Sequence, residues 1–391
     1  MTATASSIGT TAAEPKRATR PKVKFAQMNA MGFAHDVRRE VAEHFAARGI
    51  SDKANGKMVV KTLSLLALTF VPYAMILQGA GGPWGMLGLA VLMGLGMAGM
   101  GFSISHDGLH GAYSDKPWVN RLIGSTFDLA GANGYMWKIT HNVIHHTYTN
   151  IHGVDEDLEV SPLLRLSPHS ELHWFHQWQH KYAFLAYSMS TINWVLAKDF
   201  QQFMRKDLGP YSNKKHSIGA WTGLFVGKAV HYTWTIAIPL LVAPITWWQF
   251  GIGFLAMHMT AGFTLGIIFQ LAHVVEETEQ TSPPPSGMMP DEWTVHEMMT
   301  TSNFARSNAL LTWYVGGLNY QVEHHLFPKV CSIHYPDIAP IVERVAARHN
   351  VPYNAHETFW IAVKSHYVTL RDLGEGAWAR RRSAAAVAQP A

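Results

Sequence analysis

The chain has 391 residues, 48% of them hydrophobic and only 15% charged, where an average soluble domain carries about 25% charged residues. Its net charge of +4 gathers in basic residues near the two ends (Lys16, Arg17, Arg20, Lys22, Lys24, Arg38 and Arg39; Arg380, Arg381 and Arg382), which suits an anionic membrane face and gives no nucleic-acid signal. A lone cysteine, Cys331, excludes an intrachain disulfide, a cysteine-ligated zinc site and an iron–sulfur cluster, and leaves a haem thiolate with nothing else to support it.

The segment up to Phe25 is rich in Ala, Thr, Ser and basic residues, with Glu14 its sole acid. It has a weak transit-peptide character, but no apolar core follows, so it reads as a disordered cytoplasmic tail. Between Thr62 and Ser105 there is no Asp, Glu, Lys, Arg or His, and between Ala229 and Val275 no Asp, Glu, Lys or Arg. At about 1.5 Å per residue, either run crosses a hydrocarbon core of about 30 Å twice. Turn formers break each in the middle: Gly79-Ala-Gly-Gly-Pro83 in the first, Pro239 to Pro244 in the second. The expected fold is an all-α integral membrane protein. Its four transmembrane helices (about 60–79, 84–105, 218–242 and 247–273) form two hairpins under a cytoplasmic helical cap. Residues 1–57 form an N-terminal cytoplasmic segment, 58–350 the main domain, and 351–391 a C-terminal cytoplasmic helix and disordered tail.

Between the hairpins the pattern is mixed. Val119 to Trp137 is apolar but interrupted by Arg121, Asp128 and glycines, as in an interfacial or re-entrant helix. Residues 182–200 read as an amphipathic helix flat on the membrane, 278–291 with Pro283-Pro-Pro285 as a loop, and 292–320 as a helix. Both hairpin tips lack charge, so all charged residues share one side, and the basic flanks place that side in the cytoplasm.

Three histidine clusters fall on that same side: His106-Asp-Gly-Leu-His110, His141-Asn-Val-Ile-His145-His146 and Gln321-Val-Glu-His324-His325. Residues i and i+4 share a helix face about 5–6 Å apart, so His106 faces His110 and His141 faces His145. Neighbours such as His145-His146 diverge by about 100° and reach two ions, or one ion from two angles. Imidazole suits iron, copper and zinc alike; the lack of cysteine and the nearness of lipid favour a redox-active iron pair. His273 stands level with the clusters at the end of the fourth helix. It reads as an eighth ligand, the alternative being a histidine satisfied by Glu276. Gln321 is a weak ligand or, preferably, a hydrogen-bond partner of one. Asp107, Asp155, Asp157, Glu276 and Glu323 are candidates to orient the rings. His169, His173, His176 and His180 have helical spacing beside Trp174 and Trp178, which favours an interfacial helix over a fourth cluster. His231 and His258 face a substrate channel or pack between helices.

The ordered boxes HDGLH, HNVIHH and QVEHH at the hairpin exits resemble the membrane fatty acid desaturase family over about residues 60 to 350. The glutamine of the third box is similar to front-end desaturases, and Gln270-Leu-Ala-His-Val-Val-Glu-Glu277 to bacterial acyl-CoA or linoleoyl-CoA desaturases. The resemblance implies two non-haem iron ions, molecular oxygen as co-substrate, and a cis double bond made in a fatty acyl-CoA or acyl-lipid. No His-Pro-Gly-Gly haem motif occurs, so electrons from NAD(P)H would arrive through a separate ferredoxin or cytochrome b5 and its reductase. An apolar tunnel lined by Trp234, Phe263 and Phe269 is the expected seat of the chain. The implied location is a bacterial inner membrane, with active site and both termini cytoplasmic. The same boxes occur in enzymes that hydroxylate or ketolate alkanes, sphingolipids or carotenoids. A metal transporter is disfavoured, since the histidines cluster at helix ends instead of lining a path across the bilayer.

Overall fold

Asn55 starts the first of four long apolar helices, its side chain accepting hydrogen bonds from the backbone N–H groups of Lys57 and Met58, which are among the donors a helix start leaves unpaired. The computed structural model describes residues 23–27, 32–158, 161–212, 215–378 and 380. In it this helix runs Gly56–Leu77, followed by Gly82–His110, Ile218–Val242 and Trp247–His273. Thr246 and Gln249 form a reciprocal capping box at the start of the fourth. Each helix is long and apolar enough to cross a membrane. Their outward faces leave Val60, Leu63, Leu241 and Trp247 exposed. These helices overlap the expected stretches, but the first begins at Gly56 and ends at Leu77, and the second continues past Ser105 to His110.

The second helix lies against both the first and the fourth. A Cβ on Gly96 would stand 2.6 Å from Thr69 Oγ1, so glycine is what lets the first two backbones approach. Met93 and Met97 share an apolar cluster with Met257 and Ala261 of the fourth helix and Trp234 of the third. Outside the bundle, Phe33–Arg48 packs on Tyr335–Arg348 through Val37, Val41, Ile338, Val342 and Val345.

Four described helical stretches widen into π-helix: Gly101–Ser105 within the second long helix, Lys138–His145, Trp194–Lys198, and Thr233–Ala237 within the third long helix. Such turns concentrate at functional sites.

Several expectations need correction. The chain is mostly helical, not wholly so. Lys24–Ala26 pairs parallel with Met288–Glu292, and Asn303–Phe304 with Ala355–His356, so part of the expected 278–291 loop is strand. Residues 292–320 are not one helix. A helix ends at Thr300, a strand follows, Asn308 caps the short helix Ala309–Tyr314, and Gly316 and Gly317 turn the chain with positive φ. Val119 to Trp137 is split into Pro117–Gly124, Thr126–Leu129 and Gly134–Trp137, because Gly131 takes a φ of 97° and Asn133 caps the last piece. Residues 182–200 are not one uninterrupted helix. They break at Met189 and pack on the fourth helix, where Thr191 Oγ1 donates to the His258 carbonyl at 2.7 Å. The tails expected to be disordered lie largely outside the described residues.

Candidate metal centre

The second long helix ends by presenting His106 and His110 with ring centroids 4.6 Å apart. The π-helical segment Lys138–His145 and the turn after it bring in His141, His145 and His146. The short helix Gln321–Leu326 adds His324 and His325, and the last residue of the fourth long helix is His273. All eight converge. His106, His110, His141 and His324 form one group and His145, His273 and His325 a second, with His146 joining His324 and His325 between them. Within each group the ligating atoms lie within 4.8 Å of one another. His141 and His145 share a face, as i,i+4 spacing requires, yet serve different groups. All eight rings are buried except His110, which is half-buried.

The outer nitrogens of five rings are held from behind. His141 Nδ1 donates to Asp157 at 2.9 Å, His145 Nδ1 to Asp155 at 3.0 Å and His325 Nδ1 to Glu297 at 2.6 Å. His324 Nδ1 meets the Tyr335 hydroxyl at 3.2 Å, and His273 Nδ1 the Thr300 carbonyl at 3.4 Å. A proton on Nδ1 leaves Nε2 as a bare lone pair, the tautomer a metal needs. The Nε2 atoms of His141, His145 and His324 are buried without a hydrogen-bond partner, as are His110 Nε2, His106 Nδ1 and both nitrogens of His146. So many buried lone pairs with no donor would be costly in a finished core. They fit cations placed among them.

Burial holds His141, His146, His324 and His325 well below the usual imidazole range, so those rings are neutral and free to ligate. Burial also disfavours the His145 cation, but the Asp155 carboxylate outweighs it and raises that ring. Burial pushes the Glu297 carboxyl well above its ordinary value.

Other expected residues take different places. Asp107 orients no ring by hydrogen bond. It accepts from Cys331 Sγ, Ser332 N and Ser332 Oγ at 3.1, 3.1 and 2.9 Å, and so ties the first box to the segment after the third. Glu323 accepts from Asn303 and Tyr353 at 2.8 and 2.7 Å, away from the rings. Gln321 places its amide 3.1 Å from His273 Nε2 and 3.3 Å from His325 Nε2, within the second group. The backbone N–H of Glu276 donates to Ser365 Oγ at 2.9 Å, while His273 Nδ1 meets Thr300. His176 is used locally, its Nδ1 accepting from His173 N. Glu297 was missed: it lies 28 residues before His325 and reaches that ring only through tertiary packing.

A cavity of about 620 Å³ reaches this centre, lined at one end by His106, His141 and Gln321. It also touches Leu163, Met189 and Gln201, all exposed. Phe269 lines it; Trp234 and Phe263 do not. Trp234 packs instead in the apolar cluster with Met93 and Met257, and Phe263 is 41% exposed. His231 and His258 are also off the cavity. They pack between helices with Nδ1 bonded to the Leu129 carbonyl and to Thr191 Oγ1.

The family model for fatty acid desaturases matches residues 82–357. The chain is 37% identical over 360 residues to the sn-1 linoleoyl-lipid 6-desaturase of Arthrospira platensis, covering 91% of this chain and 95% of that one. It is 33% identical over 372 residues to the protein of the same name from a Synechocystis species, covering 91% and 99%. It is 31% identical over 340 residues to the acyl-lipid (8-3)-desaturase of Physcomitrium patens, covering 86% and 71%. Fatty acid desaturases are oxidoreductases, and the matched stretch holds all three histidine boxes together with His273: the chain belongs to the fatty acid desaturase family.

Proposed function

We propose that this desaturase makes a cis double bond in an acyl chain carried by a membrane lipid, with two iron ions held among His106, His110, His141, His145, His146, His273, His324 and His325. The observation that carries the reading is the set of buried, unpartnered imidazole nitrogens at one end of a 620 Å³ cavity. The acyl-lipid carrier is supported by the relatives' names. Bound there, an iron pair supplies the oxidising power, drawn from molecular oxygen and two electrons, that an unactivated methylene requires.

The protein's own residues do the rest. Asp155, Asp157 and Glu297 fix the tautomers and directions of His145, His141 and His325, which keeps three lone-pair directions from drifting when the metals are absent or changing charge. Phe127, Trp137 and Phe269 wall the cavity with apolar surface, excluding water and leaving an extended chain few places to lie. His106 and His141 face that cavity directly, so a methylene held against them is beside the first group of ligands.

The four long helices then form two membrane hairpins, and everything charged, both termini included, lies in the cytoplasm beside a bacterial inner membrane. Electrons come from NAD(P)H through a separate ferredoxin or cytochrome b5 and its reductase. The test is a fatty-acid profile. The chain is expressed in a host without polyunsaturated lipids, 18-carbon mono- and di-unsaturated acids are supplied with a compatible electron donor, and total lipids are analysed by gas chromatography–mass spectrometry, with His325→Ala as control. A new double bond, absent from the control, supports the reading. A hydroxylated product or an unchanged profile refutes it.

A further inference from the structure

One wall of the cavity is a continuous run of rings that starts at a metal-ligand candidate. Trp137 stacks on His141 with centroids 4.3 Å apart and planes 18° from parallel. Phe127 tilts against Trp137 at 5.4 Å, and Trp194 meets Phe127 edge-on at 5.5 Å. Lys198 Nζ closes the run 4.4 Å from the Trp194 ring centroid. All five residues line the cavity. Trp137 is fixed by its stacking on His141. Trp194 has no ring stacked parallel to it among the described residues, and it stands on a short π-helical turn, Trp194–Lys198.

What fixes Trp194 is a buried ion pair that reaches across from the third long helix. Trp194 Nε1 donates to Asp199 Oδ1 at 2.9 Å. Asp199 Oδ2 accepts from Asn133 N at 2.9 Å and from Lys228 Nζ at 2.7 Å. Lys228 Nζ also donates to the carbonyls of Gly131 and of Trp194 itself, at 2.7 and 3.1 Å. Lys228 is 4% exposed and Asp199 1%. Three ammonium protons thus meet three acceptors, and both carboxylate oxygens are used. If the only task were to join the third helix to its neighbours, apolar side chains would do it without desolvating two charges. The pair instead grips the tryptophan twice, at its indole N–H and at its own carbonyl. An ionisable residue in a membrane helix marks function by default.

We propose that Lys228 and Asp199 are positioning residues for selectivity. They hold Trp194 as the outer wall of the acyl cavity, and so set which methylene lies beside His106 and His141 and where the double bond forms. This rests on the reading that the cavity holds the acyl chain.

The test uses the full chain in the lipid-feeding host, with double-bond positions mapped by mass spectrometry and iron measured per purified chain. Trp194→Ala removes the wall but keeps the pair. Lys228→Met combined with Asp199→Asn removes the pair but keeps the ring and leaves no lone buried charge. Trp194→Phe keeps a ring but removes the indole donor. The expected result is that the dominant positional isomer's excess over its neighbours falls about tenfold in the first two variants, which is roughly the discrimination one methylene provides in an apolar pocket. Trp194→Phe should give a smaller shift in the same direction, and iron content should stay at the wild-type level. A purely structural role lowers product yield without moving the bond, so an unchanged isomer ratio in iron-loaded Trp194→Ala and in the double variant overturns the proposal. Should the double variant fail to accumulate, Trp194→Phe, which lacks the indole donor that Asp199 holds, decides the part of the pair, and an unshifted isomer ratio in it overturns the proposal. A wild-type chain that makes no unsaturated product would instead refute the functional reading beneath it, and the inference with it.

Discussion

His325 Nδ1 and the Glu297 carboxyl group meet at 2.6 Å, and neither side chain is exposed at all. Thr149 Oγ1 lies 2.8 Å from the same carboxyl oxygen. The acid is thus shared between the ring it orients and the turn that follows the second histidine box. Groups that orient a metal-binding imidazole typically contribute about 10- to 100-fold in metal affinity. Glu297→Gln keeps the size and a carbonyl acceptor but replaces one carboxyl oxygen with an amide nitrogen, which cannot accept from the ring or from Thr149. Iron retained after dialysis against a graded chelator should shift by about that factor. Retention equal to wild type would show that Glu297 does not orient the ring in any way that matters to the metal.

His146 stands between the two ligand groups with both ring nitrogens buried and unpartnered. Its loss should therefore empty both positions together, where removal of His110 or His273 touches one group alone. Metal analysis of His146→Ala, with the half-exposed His35→Ala as control, checks this. A variant that keeps one ion per chain would assign His146 to a single group.

Asp128 gives a pH prediction away from the metal ligands. Burial raises its carboxyl to about 6, against the hydrogen bond from Gly134. A raised acid favours the protonated form in the folded state. Its contribution to stability is full below the ordinary value of 3.8 and is lost as pH rises through about 6. Near neutrality the ionised, buried carboxylate then costs about 2–3 kcal/mol. Asp128→Asn should raise the melting temperature in detergent at about pH 8 and leave it nearly unchanged at about pH 4. Equal shifts at both values would mean that titration of Asp128 is not the cause.

Gly316 takes a φ of 65°, and a Cβ there would stand 2.6 Å from the Phe102 carbonyl oxygen and 2.7 Å from Ser103 Cα. Gly316→Ala combines the left-handed backbone penalty of about 1–2 kcal/mol with a clash against the π-helical turn that precedes His106. A lower melting temperature together with lower iron content is expected. A lower melting temperature with full iron loading would show that the clash is absorbed away from the first box.

The four long helices and the three histidine clusters were legible in the sequence because their signals are local: a charge-free run is visible as such, and an i,i+4 pair depends on one helix turn. His273 was legible for the same reason, as an ionisable residue at the end of an apolar run. The partners of the rings were legible only where they followed closely in the chain. Asp155 and Asp157 come within about a dozen residues of the second box, whereas Glu297 and Tyr335 reach their histidines through tertiary packing. Asp107 and Glu323, adjacent to box histidines, looked like orienters but spend their hydrogen bonds elsewhere, Asp107 Oδ1 standing 3.9 Å from His106 Nδ1 while Oδ2 holds Cys331 and Ser332. The later breaks in 292–320 came from Asn308, Gly316 and Gly317. These are turn formers visible in the sequence, and the reading of one helix passed over them. The short parallel strand pairs join segments hundreds of residues apart or bounded by turns, and carry no local pattern of their own.

The π-helical turn at Gly101–Ser105 makes angular phase, as much as motif, the condition for a working centre. A π turn holds one residue more than the α-helix around it, so whatever follows is rotated by about 100° relative to an uninterrupted helix. A homologous chain one residue shorter in that stretch would keep HDGLH letter for letter. It would nonetheless aim His106 and His110 away from His141 and His324, or slide the whole second helix to recover them. Single-residue gaps there are therefore a sharper mark of a disabled relative than many substitutions within the boxes themselves.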